Sequence, residues 1–583
     1  MTALHRAYRI IIVFGTMFWI CPCATNGAES GLVGHWKLRG DCRDSSGQGN
    51  HGVNHGVDLV NGAFDGEQAY IEVPASDSLQ LGKGDFAICA WIYTEKELDD
   101  IVGDVIDMYD PAARRGITLS INSSAGGYQS QGTDRHVHFG IDNARTTDWQ
   151  DCGHPNPASN YVFNSLTVYD GNLYAATSGG KDEKDWRHVY RFDGKQHWID
   201  CGQVGDGKVE GVGPLIVHNG ALYAVTTTID WTRKESRDPG RVYRYLGGTQ
   251  WEDCGQPSEN RSLNCIASYK GKLYVGGGPE TYGVFVSDGG SVWQPSKVFE
   301  SRDLPRGIFP HAMCRHNGKL FVAYPGAYAF DGNTWTFVGE TLPSDQTWFL
   351  QTHSMTLFQG KLHAGTWPES KVSFYEVGEN WQVMGRVGAE GTEVNSLVVY
   401  NGKLYGGAIP YAEVCRYDGE FEWTSLRRFY SPAGWRPGPP GKMSKKDVCE
   451  ASRVTSMTVF NGKLFASIGS STSSILDAPA DVRGKVFSIE AGKVASYDND
   501  LGPGWKHISA VRSGGLLKLY IDGKLAAKSS TFDPAEYDLT TDRPLRIGFG
   551  ETEYFAGKMA DVRLYKVALD DKQIQELSSK KPD

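Results

Sequence analysis

The residues best suited to chemistry hold one fixed position in a repeated sequence pattern. That position, seven residues before a recurrent turn glycine, is occupied by Asn164, Gly213, Asn264, His311, His353, Asn395 and Thr455. Imidazole, amide and hydroxyl groups can orient a small polar ligand, and histidines can also transfer protons or bind metals. Two histidines without a carboxylate in register are weak grounds for a metal site. The polar members are therefore predicted to line a ligand-binding channel, although a water-filled structural channel needs similar groups.

The turn glycines that set this register stand in seven similar hairpins. The copies are DGNLY (170–174), NGALY (219–223), KGKLY (270–274), NGKLF (317–321), QGKLH (359–363), NGKLY (401–405) and NGKLF (461–465). They recur roughly every 40 to 60 residues, which is the length of a four-stranded propeller blade. Glycine at the turn supplies a positive φ between two strands. Residues 146–492 are therefore predicted to form a seven-bladed β-propeller, which resembles Kelch-like propellers in general terms.

A tryptophan follows a second hairpin in six of the copies. These residues are Trp198, Trp251, Trp293, Trp335, Trp381 and Trp423. The seventh copy lacks one, but Trp149 stands before the first copy. We predict that the strand at 147–152 completes the unit whose other strands lie near 454–490, because this leaves no open edge. The repeated tryptophans are interpreted first as packing residues between blades.

The segments on either side of the repeats carry different strand patterns. They include LVGHWKL (32–38), FAICAWIY (86–93), GWKHISAV (504–511), LLKLYIDGKLAAK (516–528) and GKMADVRLYKVAL (557–569). In this order, they resemble the concanavalin A-like, laminin G-like jelly-roll family. The resemblance implies an all-β chain in which 31–145 and 493–577 form one jelly-roll sandwich, with the propeller inserted in a loop. Asp522 and Gly523 are predicted to form a hairpin turn, and Asp570 to cap a closing helix.

The laminin G-like resemblance also implies a ligand. Members of this family bind carbohydrate or another extracellular protein, and some hold calcium through loop carboxylates and carbonyls. Asp44 and Asp561 are the calcium candidates by motif position, while turn formation and capping explain such aspartates without a metal. No other cofactor is indicated.

The first 28 residues have the pattern of a secretory signal. A basic start at His5, Arg6 and Arg9 precedes an apolar run at 10–20, which is too short to span a bilayer. A membrane anchor is the alternative. We expect a secreted, periplasmic or cell-envelope protein with no membrane span in the mature chain. Of the 11 cysteines, two lie in this segment, and the other nine show no CxxC spacing and are interpreted as small buried residues.

Composition narrows the function classes. A net charge of −10 argues against a nucleic-acid partner, which needs a basic face, and the 71 glycines and 12% aromatic content favour β-structure. No GxSxG, P-loop or HExxH motif occurs, and the expected sandwich strands carry no pair of catalytic glutamates. The leading hypothesis is an exported, non-enzymatic protein that binds carbohydrate or a glycan-bearing partner. A glycoside hydrolase or lyase at the propeller channel, and a structural cell-envelope interaction protein, are the alternatives.

Overall fold

Strands dominate the chain. The computed structural model describes residues 29–122, 135–158, 161–179, 182–228, 238–299, 310–324, 326–342, 350–430, 453–469 and 484–582, with only the backbone of 161–164. These ranges contain 42 β-strands, one α-helix and the 3₁₀ helices Asp77–Leu79, Glu183–Asp185 and Pro534–Glu536. No helix within them is both long and apolar enough to cross a membrane. The predicted signal at 1–28 lies outside the described residues.

Eight strands precede the repeats. Their bounds are β1 (Leu32–Trp36), β2 (Val53–His55), β3 (Ala63–Asp65), β4 (Tyr70–Val73), β5 (Phe86–Thr94), β6 (Gly103–Asp110), β7 (Arg115–Ile121) and β8 (Val137–Thr146). β5 is buried along nearly its whole length, and β8 buries Val137, Phe139 and Ile141, which are every second residue. β-Branched and aromatic residues in such patterns favour strands that pack against a core.

The repeats supply strands β9 to β36. Their bounds are β9 (Gln150–Asp151), β10 (Tyr161–Tyr169), β11 (Asn172–Ser178), β12 (His188–Phe192), β13 (Trp198–Gln203), β14 (Gly211–His218), β15 (Ala221–Thr227), β16 (Val242–Gly247), β17 (Gln250–Asp253), β18 (Ser262–Tyr269), β19 (Lys272–Gly278), β20 (Gly283–Ser287), β21 (Gln294–Val298), β22 (Ala312–His316), β23 (Lys319–Ala323), β24 (Ala327–Phe330), β25 (Trp335–Phe337), β26 (Gln351–Phe358), β27 (Lys361–Trp367), β28 (Lys371–Tyr375), β29 (Trp381–Arg386), β30 (Glu393–Tyr400), β31 (Lys403–Ile409), β32 (Glu413–Gly419), β33 (Glu422–Arg428), β34 (Arg453–Phe460), β35 (Lys463–Gly469) and β36 (Val486–Ile489).

The second flank supplies the last strands and the helix. They are β37 (Ala491–Tyr497), β38 (Gly504–Ser513), β39 (Leu516–Ile521), β40 (Lys524–Lys528), β41 (Leu545–Ile547), β42 (Ala556–Tyr565) and α1 (Asp571–Ser578). The Asp570 carboxylate accepts from the Gln573 N–H, and the Gln573 side chain accepts from the Asp570 N–H. This reciprocal arrangement confirms the predicted N-cap. Asp522 and Gly523 join β39 to β40, both with positive φ, which confirms the predicted hairpin turn.

Both flanks contribute strands to the same two sheets. One sheet has the order β1-β42-β5-β38-β39-β40, with β3 beside β42, and the other has the order β2-β4-β41-β6-β7-β8-β37. A single hydrophobic core joins the sheets, and in it Phe86 of the first contacts Phe139 of the second edge to face. β5 lies between β38 and β42, so strands from the two ends of the chain pair directly. We call residues 29–146 and 491–582 the two-sheet domain.

The repeats form antiparallel units of four strands. Four-stranded sheets contain β22–β25, β26–β29, β30–β33, and β34–β36 with β9. β10–β21 belong to one larger sheet, in which three four-stranded groups are joined by the single pairs Ser178–Gly211 and Thr227–Ser262. β9 pairs with β36, which is the pairing expected for the strand at 147–152. We call residues 147–490 the repeat domain.

Each repeated tryptophan ties its unit to the preceding one. The indole N–H donates to that unit at 2.7 to 3.1 Å in the pairs Trp198–Cys152, Trp251–Cys201, Trp293–Cys254, Trp335–Ser296, Trp381–Val338 and Trp423–Met384. The acceptor is a backbone carbonyl except at Ser296, where it is the hydroxyl. The indole rings also pack against hydrophobic residues of the units, which agrees with their interpretation as packing residues.

The described cysteines are free thiols. Seven of the eight are buried, and Cys42 is partly exposed. Burial raises the pKa of Cys89 to about 12, which keeps the thiol protonated and unreactive at neutral pH. The interpretation as small buried residues therefore holds for the seven buried positions, but Cys42 is only partly buried, and Cys449 lies outside the described residues.

Candidate functional site

A β-bulge occurs at the predicted register position in most of the first strands of the repeat units. In β18, β26, β30 and β34 the ladder skips one residue, and the skipped residues are Asn264, His353, Asn395 and Thr455. In β14 the irregularity spans Gly213. A bulge leaves its residue outside the ladder and changes the direction of the side chain. Asn264, His353, Asn395 and Thr455 therefore lie outside the regular strand pairing.

The two histidines of the register lie side by side. Their ring centroids are 4.8 Å apart, and the ring planes differ by 28°. His353 Nε2 lies 2.8 Å from Gln351 Oε1, and its Nδ1 lies 3.4 Å from Glu393 Oε1. Both imidazoles are buried, with His311 7% and His353 3% exposed. The fold therefore brings a carboxylate to the histidine pair.

Glu393 connects this pair to the next repeat units. Its Oε1 accepts from Asn395 Nδ2 at 2.6 Å and lies 3.8 Å from Arg453 Nη1. Burial raises the pKa of Glu393, against the opposing effects of the Arg453 charge and the Asn395 hydrogen bond. Burial and the Arg453 charge lower the pKa of His353 to about 3, so its imidazole is neutral at pH 7.

The combination of these groups is suited to binding and proton transfer. We call it the channel cluster, and it consists of His311, Gln351, His353, Glu393, Asn395 and Arg453. A buried carboxylate with a raised pKa can hold a proton closer to neutral pH than a solvated carboxylate, whereas the lowered pKa of His353 makes its imidazole a neutral hydrogen-bonding group at pH 7. The guanidinium and amide groups can hold polar groups of a ligand in a fixed orientation.

The remaining register residues are placed differently. Asn264 Oδ1 accepts from Thr227 Oγ1 at 3.3 Å, and Thr455 Oγ1 lies 2.7 Å from Ser467 Oγ. Within the described residues, no hydrogen bond joins Asn264 or Thr455 to the channel cluster. Asn164 lies in an irregular part of β10 whose side chains are outside the description. Among the predicted residues with described side chains, His311, His353 and Asn395 therefore belong to one cluster, and Asn264 and Thr455 do not.

Three members of the channel cluster do not occupy the register position from which the ligand-binding residues were predicted. Gln351, Glu393 and Arg453 stand two residues before the register position in three consecutive copies. Alternate residues of a strand share a side-chain direction, so a second polar register at this spacing was the available signal. An acidic and a basic residue in adjacent copies at that register also indicate a charge pair.

The two calcium candidates bond to protein groups around His35. The Asp44 carboxylate accepts from the backbone N–H groups of His35, Ser46 and Asn50 at 2.8 to 3.0 Å, which closes the turn after β1. Asp561 contacts the His35 ring at 2.5 Å and Arg563 at 3.0 Å. Burial opposes ionisation of Asp561, but the His35 hydrogen bond and the Arg563 charge lower its pKa to about 2. Calcium binding at these residues stays a prediction.

The recurrent turns contact the two-sheet domain. A backbone or side-chain N–H donates to that domain from six of the turns, at Gly171, Lys270, Gly318, Gly360, Asn401 and Gly462. Buried ion pairs, Lys403 with Asp142 and His316 with Glu553, also join the domains. The register residues precede the turns by seven positions, or about 23 Å along a strand. The channel cluster therefore lies at the end of the first strands that faces away from the two-sheet domain.

A second space lies between the two domains, at the turn end of the first strands. It is a cavity of about 750 Å³, and its lining includes Lys96, Arg135, His136, Tyr169, Asn219, Arg315, Asn499 and Asp500. The lining combines guanidinium, amide and carboxylate groups with one tyrosine ring. Cavities at domain interfaces are common ligand sites, so this cavity is a candidate beside the channel cluster.

The second flank has a counterpart among known families. β37–β42 and most of α1 fall within one matched segment. Residues 483–575 match the concanavalin A-like lectin/glucanases superfamily. This match supports the resemblance stated for the second flank, and it does not extend to the first. The search of curated proteins found no match.

The solved structures that are similar to this chain are β-propeller-like proteins. Virginiamycin B lyase from Staphylococcus aureus, in complex with quinupristin, is 8% identical, with 59% of this chain and 99% of that chain covered and a TM-score of 0.41. Aldose sugar dehydrogenase from Streptomyces coelicolor, bound to PQQ, is 11% identical, with 61% and 100% covered and a TM-score of 0.31. A gluconolactonase from Xanthomonas campestris is 15% identical, with 47% and 94% covered and a TM-score of 0.26. Values this low carry no argument about function.

Proposed function

We propose that this chain is an exported carbohydrate-binding protein in which a concanavalin A-like sandwich carries an inserted seven-bladed β-propeller. The first strands of the repeat units, β10, β14, β18, β22, β26, β30 and β34, support a closed ring, because each contacts the next and β34 contacts β10. Two sheets around one core support the sandwich. The signal-like residues 1–28, which lie outside the described residues, support export.

The observation that carries the ligand class is the match of residues 483–575 to a superfamily of lectins and glucanases. Binding is favoured over hydrolysis at the central strand β5 and its neighbour β38, because these two strands contain no glutamate or aspartate. A glycosidase needs two carboxyl groups placed across the sugar ring.

The interdomain cavity is the binding site that we propose for a sugar. Sugar hydroxyls donate and accept hydrogen bonds, so their site needs planar side chains that offer both kinds of group. Asn219 and Asn499 supply amides, and Arg135 and Asp500 supply a guanidinium and a carboxylate. Tyr169 adds a flat apolar ring beside them. A cavity of about 750 Å³ is large enough for a short oligosaccharide.

A glycan array and a polysaccharide pull-down with the mature protein test this proposal. We expect retention on at least one glycan, and loss of that retention in an Asn219→Asp/Asn499→Asp variant. Asn380→Asp is the matched control, because Asn380 is exposed on the hairpin between β28 and β29 and is not among the residues that line the cavity. Retention on no glycan, or equal retention by the double variant, would contradict the proposal.

A second candidate is a glycoside hydrolase or lyase that acts at the channel cluster. The observation that favours it is the neutral His353 imidazole 3.4 Å from the buried Glu393 carboxylate, with Arg453 beside the carboxylate. Turnover of a polysaccharide that is lost in His353→Gln and in Glu393→Gln would support the enzyme. Binding without turnover would support the first candidate, and an envelope partner in cross-linking without glycan binding would support a structural role.

A further inference from the structure

Two histidines and an aspartate converge where the two-sheet domain meets the repeat domain. His136 and His138 flank Val137, whose side chain lies in the core, so strand alternation directs both imidazoles to the other face. On the neighbouring strand β37, Tyr497 pairs with Val137, and Asp498 therefore comes opposite His136. One ligand atom of each lies within 4.8 Å of the others, and no other such trio of histidine, cysteine or carboxylate groups occurs in the described ranges.

Two atoms of this trio are buried without a hydrogen-bond partner among the described residues. Asp498 Oδ2 accepts from the Asn461 N–H of the repeat domain at 2.7 Å, and the nearby Ser496 hydroxyl helps to stabilise the carboxylate, but no described group donates to Oδ1 with hydrogen-bond geometry. His138 Nε2 is likewise buried and unpaired. A buried polar atom that makes no hydrogen bond loses its hydration without replacement, and a bound ion would offset that loss. Because Asp498 is only 8% exposed, water from bulk solvent does not readily satisfy its carboxylate.

The donor types favour a transition metal over calcium or magnesium. Two imidazole nitrogens and one carboxylate oxygen are a common ligand set of Zn²⁺, whereas calcium and magnesium prefer oxygen ligands throughout. Three protein ligands would leave one coordination position for another group. His136 also lines the interdomain cavity, so that position would be close to the cavity.

The surroundings hold the three residues in place. The His136 carbonyl accepts from the Asn122 N–H, and the Asp498 carbonyl accepts from the Gly171 N–H of the repeat domain. The guanidinium of the adjacent Arg135 donates a hydrogen bond from Nε to Thr94 Oγ1 at 3.1 Å. Its positive charge is therefore engaged apart from the trio. These bonds hold the backbone at His136 and Asp498 in position.

We propose that His136, His138 and Asp498 form a binding site for a transition-metal ion of the zinc class. The ion would bridge the ends of β8 and β37, and through Asp498 it would also be linked to the Asn461 turn of the repeat domain. The site does not depend on the proposed carbohydrate ligand, and its failure would leave that proposal untouched.

Stoichiometric metal binding to the full mature chain is the direct test. Protein stripped with a chelator is titrated with ZnCl₂ by calorimetry, and the bound metal is counted by elemental analysis. We expect one Zn²⁺ per chain, a higher melting temperature with the ion, and no competition from CaCl₂. Co²⁺ in place of Zn²⁺ should give the visible absorption of a nitrogen- and oxygen-ligated site, which needs no variant.

His138→Gln and Asp498→Asn keep the size of each side chain and remove a ligand. A change in a residue that only hydrogen bonds to a metal ligand weakens metal binding roughly 10- to 100-fold. Because each of these variants removes a ligand, each should weaken Zn²⁺ binding by a larger factor. His197→Ala, in an exposed turn of the repeat domain, should bind as the parent chain does. The proposal fails if the parent chain binds no stoichiometric Zn²⁺, or if a folded His138→Gln chain binds it unchanged.

Discussion

Substitution of two glycines in the recurrent turns can distinguish two losses in the free energy of unfolding. One loss comes from a strained backbone conformation, and the other comes from a disturbed contact between the domains. Gly220 and Gly462 have nearly equal positive φ, 74° and 70°. A Cβ atom added at Gly220 would meet no atom within 4 Å, whereas one added at Gly462 would lie 2.2 Å from the Val494 carbonyl oxygen of β37. Gly220→Ala therefore probes the turn alone, and Gly462→Ala probes the turn together with its contact to the two-sheet domain.

The expected magnitudes follow from these geometries. A left-handed conformation costs an alanine about 1 to 2 kcal/mol, and both variants carry that cost. At Gly462 the clash adds about 1 to 3 kcal/mol. Moving the turn away would also weaken the bond from the Gly462 N–H to Ser496 Oγ, at 2.8 Å, by about 1 kcal/mol. We expect losses of about 1 to 2 kcal/mol for Gly220→Ala and about 3 to 6 kcal/mol for Gly462→Ala.

Chemical denaturation followed by tryptophan fluorescence measures both losses in free energy of unfolding. The parent chain and the two variants are compared in the same buffer, and the denaturant dependence is checked for a common slope. Equal destabilisation by the two substitutions would refute the reasoning, because it would mean that a Cβ atom at residue 462 does not clash with β37. A larger loss for Gly220→Ala would refute it more strongly.

Three further predictions concern the units, the interface and the chain ends. Trp251→Phe removes the bond to the Cys201 carbonyl and should lower the free energy of unfolding by about 1 to 3 kcal/mol in denaturation; an unchanged value would contradict the inter-unit role. Burial raises the pKa of Asp104 to about 7, above its unfolded value near 4, so the folded chain binds more protons and its stability should fall as pH rises from about 4 to 7. Melting temperature measured between pH 4 and 7 checks this. The fall in melting temperature with rising pH should be smaller in Asp104→Asn, whose amide oxygen can still accept from the backbone N–H groups of 552–553, and it should be unchanged in Asp77→Asn, at an exposed position. A fragment of residues 31–480 lacks both strands that flank β5 and the partner of β9, so a cooperative melt of this fragment would contradict the shared sheets.

Local features of the fold were predictable because neighbouring residues determine them. The Asp570 cap and the hairpin turn at Asp522 and Gly523 depend on contacts within a few residues, and both agree with the structure. The constant spacing from each turn glycine also found His353 and Asn395, because both sit at bulges at the same distance from the turn.

The channel cluster was predictable only in part. The constant spacing from the turn treats all copies as equivalent. In the structure, the His311 and His353 rings stack, whereas Asn264 bonds to Thr227 and Thr455 bonds to Ser467. The difference comes from the side chains of adjacent units, which the register of a single unit does not contain. Glu393 joins the cluster because its unit lies next to that of His353.

The sequence by itself determined the strand periodicity, the repeated turns and the two kinds of domain, because each follows from spacing along the chain. Tertiary structure decided which of those elements meet. β8 and β37 are far apart in the chain, yet their pairing puts His138 near Asp498, and the turns of the repeat domain close over that pair. Such proximity results from packing and strand pairing across the whole fold, and no local pattern of residues encodes it.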